Sequence, residues 1–145
     1  MALNVLRMTE KACNYVASSS LSAAGYNNIP VFNGISNSDK SGPCVICYAE
    51  SANEDFPNSG IYRVVGNVIV KELAADTDVS SSVADTIFQG FLNDNIVGTL
   101  NSYSGAYYVY GFFVDGVNDE IDEDTWIQQY KFEIVSALTW KSFLL

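Results

Sequence analysis

Two long extended runs in the C-terminal third of the sequence constrain the fold more than any other feature. The first is AYYVYGFFVDG, residues 106–116, and the second is TWIQQYKFEIVSAL, residues 125–138. In the second run apolar side chains alternate with polar ones, which is typical of a strand with one buried face. The first run is apolar at nearly every position, so both of its faces need cover. The two runs, joined by the acidic segment VNDEIDED, predict a long β-hairpin within a larger sheet.

Strict alternation along the first run divides its side chains between two faces. Tyr107, Val109 and Phe113 share one of these faces. A helix covers each side of such a strand, or one face is kept for a neighbouring subunit. We therefore take these three residues as a candidate subunit-interface face.

The rest of the chain supplies two helices and three further strands. Residues 2–17 carry an amphipathic helical stripe, and residues 79–91 carry a second stripe with apolar side chains at steps of four. Residues 29–32 form a short extended piece whose Pro30 suits an edge position, and 44–51 and 61–73 are predicted strands. The element order is therefore α-β-β-β-α-β-β. This order predicts one α+β domain spanning residues 1–145, with a mostly antiparallel or mixed sheet and helices mainly on one face.

Charge and composition exclude several classes of function. Seventeen acidic against seven basic residues give a formal net charge of −10, which disfavours binding to nucleic acid or anionic lipid through the surface. The sequence contains no histidine, which removes Ser-His and Cys-His nucleophile pairs. No apolar stretch approaches the length of a membrane span. We expect a protein made in the cytosol that has no catalytic residues, no cofactor and no membrane partner.

Cys44 and Cys47 lie in the motif GPCVICY, with a spacing known from zinc sites and thiol-disulfide enzymes. On a strand, however, residues three apart point to opposite faces, so the two thiols cannot share a metal ion or close a disulfide. Cys13 is the third cysteine, and there is no histidine to complete a zinc site. We interpret the motif as part of a buried strand; a thiol enzyme is a weak alternative.

Acidic residues suggest two cation sites, and neither pattern is complete. The stretch 76–80 resembles the start of an EF-hand loop but lacks its glycine and its terminal glutamate, so helix capping explains these acids better. A second group could bind a divalent cation, but a solvated loop is favoured, and an interaction loop is compatible with both readings. Its members are Asp115, Asp119, Glu120, Asp122, Glu123 and Asp124.

The order of these segments resembles that of the tail terminator, or tail completion, proteins of tailed bacteriophages. The resemblance is carried by an N-terminal amphipathic helix, IPVFNG, GPCVICYAES, IYRVVGNVIVKELA, the capped helix SSSVADTIFQGFL and a hairpin ending in WIQQYKFEIV. It covers roughly residues 2–136 and rests on pattern and order.

The resemblance implies a structural virion protein without enzymatic activity, assembled in the host cytoplasm and located in the tail or neck. It implies a homo-oligomeric ring, usually of six subunits, that caps the tail tube and joins it to the neck of the head. Its partners would be other copies of itself, the tail tube protein and a neck connector or stopper protein. The genome DNA would pass without specific contacts through a lumen that the acidic hairpin makes negative.

Two alternatives stay open. A head-tail connector of the phage neck, a stopper or adaptor, has a comparable size and symmetry, and a small ligand-binding α+β domain would use the aromatic sheet as a pocket. The last nine residues, ALTWKSFLL (137–145), have no counterpart in the resemblance. Their apolar character predicts that they dock on the domain or on a neighbour.

Overall fold

The structure is a computed structural model that describes residues 2–34, 43–54, 56–57, 59–73, 77–102, 107–122 and 125–138. In chain order its elements are α1 Ala2–Ala23, β1 Val31–Asn33, β2 Cys44–Glu54, β3 Ile61–Leu73, α2 Thr77–Phe91, α3 Ile96–Asn101, β4 Tyr107–Asp122 and β5 Thr125–Leu138. The predicted α+β class and element order are confirmed, and the short helix α3 is an addition to them. In the described part of the chain no helix is both long and apolar enough to cross a membrane.

The strands form a five-stranded mixed sheet in the order β1-β2-β3-β5-β4. β1 pairs with β2 in parallel, and every other neighbouring pair is antiparallel. The short β1 lies at one edge, directly after Pro30, and the long β4 lies at the other. The three inner strands, β2, β3 and β5, are therefore paired on each side.

The helices pack on one face of this sheet, which we call the helix face. The ring of Phe88 on α2 stacks on Tyr130 with ring centroids 4.9 Å apart, and Phe91 stacks on Phe132 at 5.8 Å. Phe112 of β4 joins them, with its ring centroid 5.0 Å from that of Phe132. Each such aromatic contact adds about 0.5–1.5 kcal/mol to the free energy gained by burial. The other side of the sheet, the open face, carries no described helix.

Helix α1 is longer than the sequence pattern predicts, because its serines are compatible with a helix. Ser20 donates its hydroxyl hydrogen to the carbonyl oxygen of Val16, 2.9 Å away, and the Ser18 hydroxyl bonds the Asn14 side chain at 3.0 Å. Ser20 also faces Gly90 of α2 so closely that a Cβ atom at residue 90 would overlap its Oγ. Small side chains thus let α1 and α2 approach at this point.

Candidate functional site: the outer hairpin

The hairpin of β4 and β5 is paired along its whole length, which corrects the predicted acidic loop. Residue pairs run from Tyr107 opposite Leu138 to Asp122 opposite Thr125, so the described pairing leaves residues 123–124 as the connection. Most of the acidic segment is therefore strand, because each of its residues up to 122, apart from a bulged one at 115, has a partner on β5. The sequence pattern concealed this, since acidic residues are rare in strands.

The acidic residues of the hairpin project from both sides of its outer half. Asp115, Asp119 and Glu120 are exposed. Asp119 lies opposite Gln128 and Glu120 opposite Ile127, and alternation places these two carboxylates on different faces. Asp122 belongs to β4, although its side chain is not described, and Glu123 and Asp124 lie outside the described residues. Among the residues that are described, no three metal-ligating side chains come together.

A β-bulge breaks the predicted interface face of β4. The pairing shifts between Val109 and Gly111, so that Val109 lies opposite Ser136 whereas Phe113 lies opposite Glu133. Partners three residues apart on β5 belong to opposite faces, so Val109 and Phe113 do not share one, and that part of the prediction is wrong. Val109 is buried in the core of its own chain, whereas Phe113 is exposed on the open face. Tyr107 belongs to β4, but its side chain lies outside the described ones.

Asn101, at the end of α3, holds the bulged part of β4 in place. Its side-chain nitrogen donates a hydrogen bond to the carbonyl oxygen of Val109 at 3.0 Å, and the Val109 backbone nitrogen donates to Asn101 Oδ1 at 2.6 Å. The amide side chain thus pairs with the outer edge of β4 as a neighbouring strand would. The sequence offered a weak signal for this role, since asparagine often bonds to the backbone near chain reversals.

The bulge also gathers three aromatic side chains into a strip on the open face, formed by Tyr108, Tyr110 and Phe113. They are 46%, 55% and 57% exposed, respectively, and the rings of the two tyrosines lie 4.8 Å apart. The ring of Phe113 folds back over Gly111, where an added Cβ would stand 2.9 Å from Phe113 Cε2. We call these three residues the aromatic strip. Sequence alternation split them between two faces, because it does not anticipate a bulge.

On the helix face β4 also extends beyond the cover of α2. Val114 lies opposite Phe132 and Val117 lies opposite Tyr130, yet both valines are about half exposed. The outer strand therefore presents apolar surface on both sides, as proteins that contact a further molecule often do.

The middle of the open face is covered by its own polar side chains. The Asn67 side chain is fully buried; it donates to Glu50 Oε2 at 3.2 Å and accepts a 2.6 Å hydrogen bond from Gln129. Lys131 adds an ion pair with Glu50 at 3.6 Å. Burial raises the pKa of the neighbouring Tyr48, Glu50 raises it further, and Lys131 lowers it. These contacts stabilise the sheet surface without a covering helix.

Two hollows bear on the ligand-binding alternative. A groove of about 260 Å³ lies on the open face over Ile46, Ile69 and Ile127, and a hollow of about 690 Å³ runs along the outside of α1 between Lys11 and Asn33. The first has an apolar floor but only Lys71, Glu120, Tyr48 and Gln129 as polar lining, and the second is lined mainly by serine, asparagine and alanine. Both hollows are open at the surface, whereas a ligand pocket usually encloses most of its ligand.

The cysteines occupy the positions that strand alternation predicts. Cys44 lies opposite Lys71 and Cys47 opposite Val68, so their side chains point to opposite faces of the sheet. Both are buried thiols, and so is Cys13 on α1. Burial raises the pKa of the Cys47 thiol far above its ordinary value, with a further contribution from the Glu10 carboxylate. This environment disfavours the thiolate, which is the reactive form of cysteine.

Glu10 is a buried charged residue on α1. It is 2% exposed, and its Oε2 accepts a 2.9 Å hydrogen bond from the backbone nitrogen of Ala49. Ala49 stands at the β-bulge of β2, where the pairing with β3 shifts. Arg7 completes the arrangement with an ion pair to Glu10 Oε1 at 2.8 Å. Glu10 therefore anchors α1 to the bulge of β2.

Comparison with known proteins gives one structural match to report. No protein-family model matches the chain, and no curated protein matches it either. Among solved structures, a chain described as "Virion of native gene transfer agent (GTA) particle" has a similar fold, with a TM-score of 0.59 and 14% sequence identity. The match covers 94% of this chain and 95% of that one. Because the sequence identity is low, the similarity shows that the two chains share a fold and shows nothing further.

Proposed function

We propose that this protein is a structural component of a phage-like virion and, more narrowly, a tail terminator that forms a ring of six copies on the end of the tail tube. The observation that carries the proposal is the fold match to a virion component over nearly the full length of both chains. The element order that suggested a tail terminator from sequence agrees with the architecture. Fold alone does not imply function, so the proposal depends on the surfaces as well.

The outer hairpin supplies two of the surfaces that such a ring requires. Val114 and Val117 offer apolar contact area that α2 leaves uncovered. A head-to-tail contact through such a patch forms a ring when the rotations between successive subunits add up to one full turn. Asp119 and Glu120 project from both faces of the same hairpin. In the proposed ring they face the lumen, where negative charge keeps the DNA phosphates from adhering to the wall.

The chemistry of the described residues fits a structural role. Burial disfavours the reactive thiolate form of Cys47, and both hollows are open at the surface. The partners in this proposal are the tail tube protein on one side of the ring and a connector or stopper protein of the neck on the other.

The deciding experiment measures the mass of the assembled protein and its position in the particle. Light scattering of the purified protein, with and without tail tubes, should show a species of six times the 15.8 kDa chain mass, and electron microscopy should show a six-fold ring. Antibody labelling of intact particles should mark the end of the tail tube. A ring of another symmetry at the head side of the neck would favour the connector instead. A protein that stays monomeric and is absent from particles would refute both.

A further inference from the structure

The charges of this chain are divided unevenly along its sequence. Residues 72–130, which include α2, α3 and β4, contain eleven acidic residues and no lysine or arginine. Residues 2–34, which include α1 and β1, contain Arg7 and Lys11 and a single acidic residue, the buried Glu10. The exposed side of α1 is therefore positive in a chain whose net charge is −10.

The exposed side of α1 carries a regular stripe of side chains. Arg7, Lys11 and Tyr15 follow one another at steps of four and are all exposed, so they share one side of the helix. We call these three residues the α1 stripe. Arg7 already forms an ion pair with Glu10, whereas Lys11 has no ion-pair partner among the described residues. Lys11 and Tyr15 also line the hollow of about 690 Å³ that runs along α1.

The α1 stripe and the exposed valines of β4 lie at opposite edges of the sheet. A Cβ atom at Gly34, directly after β1, would stand 3.6 Å from Arg7 Nη1. The Asn14 side chain, one turn along α1, donates a 3.2 Å hydrogen bond to the carbonyl oxygen of Val31 on β1. Since β1 and β4 are the two edge strands, one copy can use both surfaces at once, as a head-to-tail contact requires.

The charges favour a head-to-tail contact over a symmetric one. Val114 and Val117 are about half exposed, and the exposed Asp115 lies between them in the chain. A symmetric contact through this part of β4 would oppose two acidic strands, and one through α1 would oppose two copies of Lys11. Like charges that face each other across an interface weaken it, whereas a contact between β4 and α1 brings opposite charges together.

We propose that, in the ring proposed above, β4 of each copy docks on the α1 stripe of the next copy. Val114 and Val117 pack beside the ring of Tyr15 in the hollow along α1, and Asp115 forms an ion pair with Lys11. The inference rests on the proposed ring and adds which two surfaces meet between its subunits. The occupant of the hollow is thus a second copy of this chain.

Charge reversal on the full chain tests the ion pair, with rings scored by electron microscopy in the presence of tail tubes. Lys11→Glu and Asp115→Lys should each lose the ring at concentrations at which the parent chain retains it. The double variant Lys11→Glu/Asp115→Lys should recover it, because the two charges are exchanged. Lys11→Arg keeps the charge, and Glu120→Lys changes it on the other face of β4, so both controls should keep the ring.

The outcomes separate this inference from the ring itself. A ring that survives both single changes, or one that the double variant does not recover, would overturn the docking surfaces and leave the ring standing. A parent chain that forms no ring would overturn both proposals. Since Lys11 and Asp115 are exposed, every variant should unfold at the same urea concentration as the parent, which checks that lost rings do not reflect lost folding.

Disulfide trapping between chains tests the direction of the contact. Chains carrying Val117→Cys mixed with chains carrying Tyr15→Cys should form a disulfide that joins the two kinds of chain under mild oxidation, detected by mass spectrometry. The matched control mixes Phe113→Cys with Tyr15→Cys, because Phe113 is equally exposed on β4 but faces the other side. The three native cysteines are buried and should not interfere. Disulfides between two Val117→Cys chains, or equal trapping in the control mixture, would contradict the proposed docking.

Discussion

The ring of Phe132 lies across the backbone of Gly66 on the neighbouring strand, and a Cβ atom at residue 66 would stand 2.7 Å from Phe132 Cε2. The two residues are direct partners in the pairing of β3 with β5. An aromatic side chain that covers a glycine in this way occupies the space of the missing side chain and joins two core strands. The centre of the sheet therefore requires glycine at this position.

Gly66→Ala should destabilise the protein. The added methyl group must displace the Phe132 ring within a packed core, at a cost of about 1–3 kcal/mol in the free energy of unfolding. Gly116→Ala on β4 is the matched control, because a Cβ there meets nothing within 4 Å. We expect its free energy of unfolding to stay the same or to rise by up to about 1 kcal/mol. Urea denaturation measures both. Equal midpoints for the two variants would show that Phe132 adapts without cost.

Glu10→Ala should destabilise the anchor between α1 and β2. The change leaves the buried backbone N–H of Ala49 without its acceptor, which costs about 1–3 kcal/mol. Glu10→Gln keeps an acceptor oxygen and should recover much of the loss, whereas Glu120→Ala, at an exposed site, should be nearly neutral. Thermal and urea unfolding of the three variants provide the comparison. A Gln variant as unstable as the Ala variant would indicate that the charge, and not the hydrogen bond, is what matters.

Stability should fall at alkaline pH because of the buried thiols. Burial raises the pKa of both Cys13 and Cys47 above their ordinary values, whereas in the unfolded chain they titrate near 8.5. Above about pH 8.5 the unfolded state therefore loses protons that the folded state retains, and each thiol shifts the folding equilibrium toward unfolding by up to about tenfold per pH unit. Well below pH 8.5 both thiols are protonated in the folded and in the unfolded chain, so they do not contribute to the pH dependence of stability.

Urea denaturation between pH 7 and pH 10 measures this slope, and Cys13→Ala/Cys47→Ala is the control. The double variant should be less stable at neutral pH and should lose less stability as the pH rises. Parallel curves for the parent and the variant would show that the thiols are not the titrating groups.

Asn101→Ala should loosen the edge of β4 at its bulge. The change removes both hydrogen bonds to the Val109 backbone, so the Val109 amide should exchange with solvent faster. Asn118→Ala, at an exposed site on the same strand, serves as the control and should leave that amide unchanged. Hydrogen exchange followed by NMR measures the effect. If the Val109 amide exchanges at the same rate in both variants, Asn101 does not protect it.

Reversing the charge of the outer hairpin should impair DNA passage if the proposed ring is correct. Asp119→Lys/Glu120→Lys places two cations where the proposal puts the wall of the lumen, and cations bind DNA phosphates. We expect particles that assemble but eject their genome more slowly, with a defect that weakens as salt is added. Asp85→Lys/Asp94→Lys changes the net charge equally at exposed sites on α2 and just after it and should leave ejection unaffected. Equal ejection by all three particles would place the hairpin away from the DNA.

The fold was predicted from the helical and strand periodicity of apolar residues. The prediction of which side chains share a face fails where a β-bulge interrupts the two-residue alternation of a strand. The apolar stripes and the alternation of β5 predicted the helices, the strands and their order. The bulge at Val109 and Gly111 reversed the faces of β4 as far as the second bulge, between Val114 and Gly116, and a single extra residue leaves no mark in composition.

The polar residues were harder to predict, because their partners are distant in the sequence. A charged residue of an amphipathic helix normally faces solvent, and the burial of Glu10 is explained by its hydrogen bond with Ala49, thirty-nine residues away. Asn67 likewise depends on Gln129, sixty-two residues away. The division of the β4 side chains between core, strip and exposed valines required the pairing of β4 with β5.

The position of β3 in the sheet has a consequence for biosynthesis. Its first partner, β2, precedes it in the chain, but its second partner, β5, is translated only after residues 74–124, with Ile61 opposite Ala137. During synthesis β3 therefore has one side unpaired until β5, which begins at Thr125, has been made. Such non-local pairing is slow to form and exposes strand edges in the meantime. A pause in translation within residues 74–124 would lengthen the time during which the unpaired edge of β3 can associate with other chains.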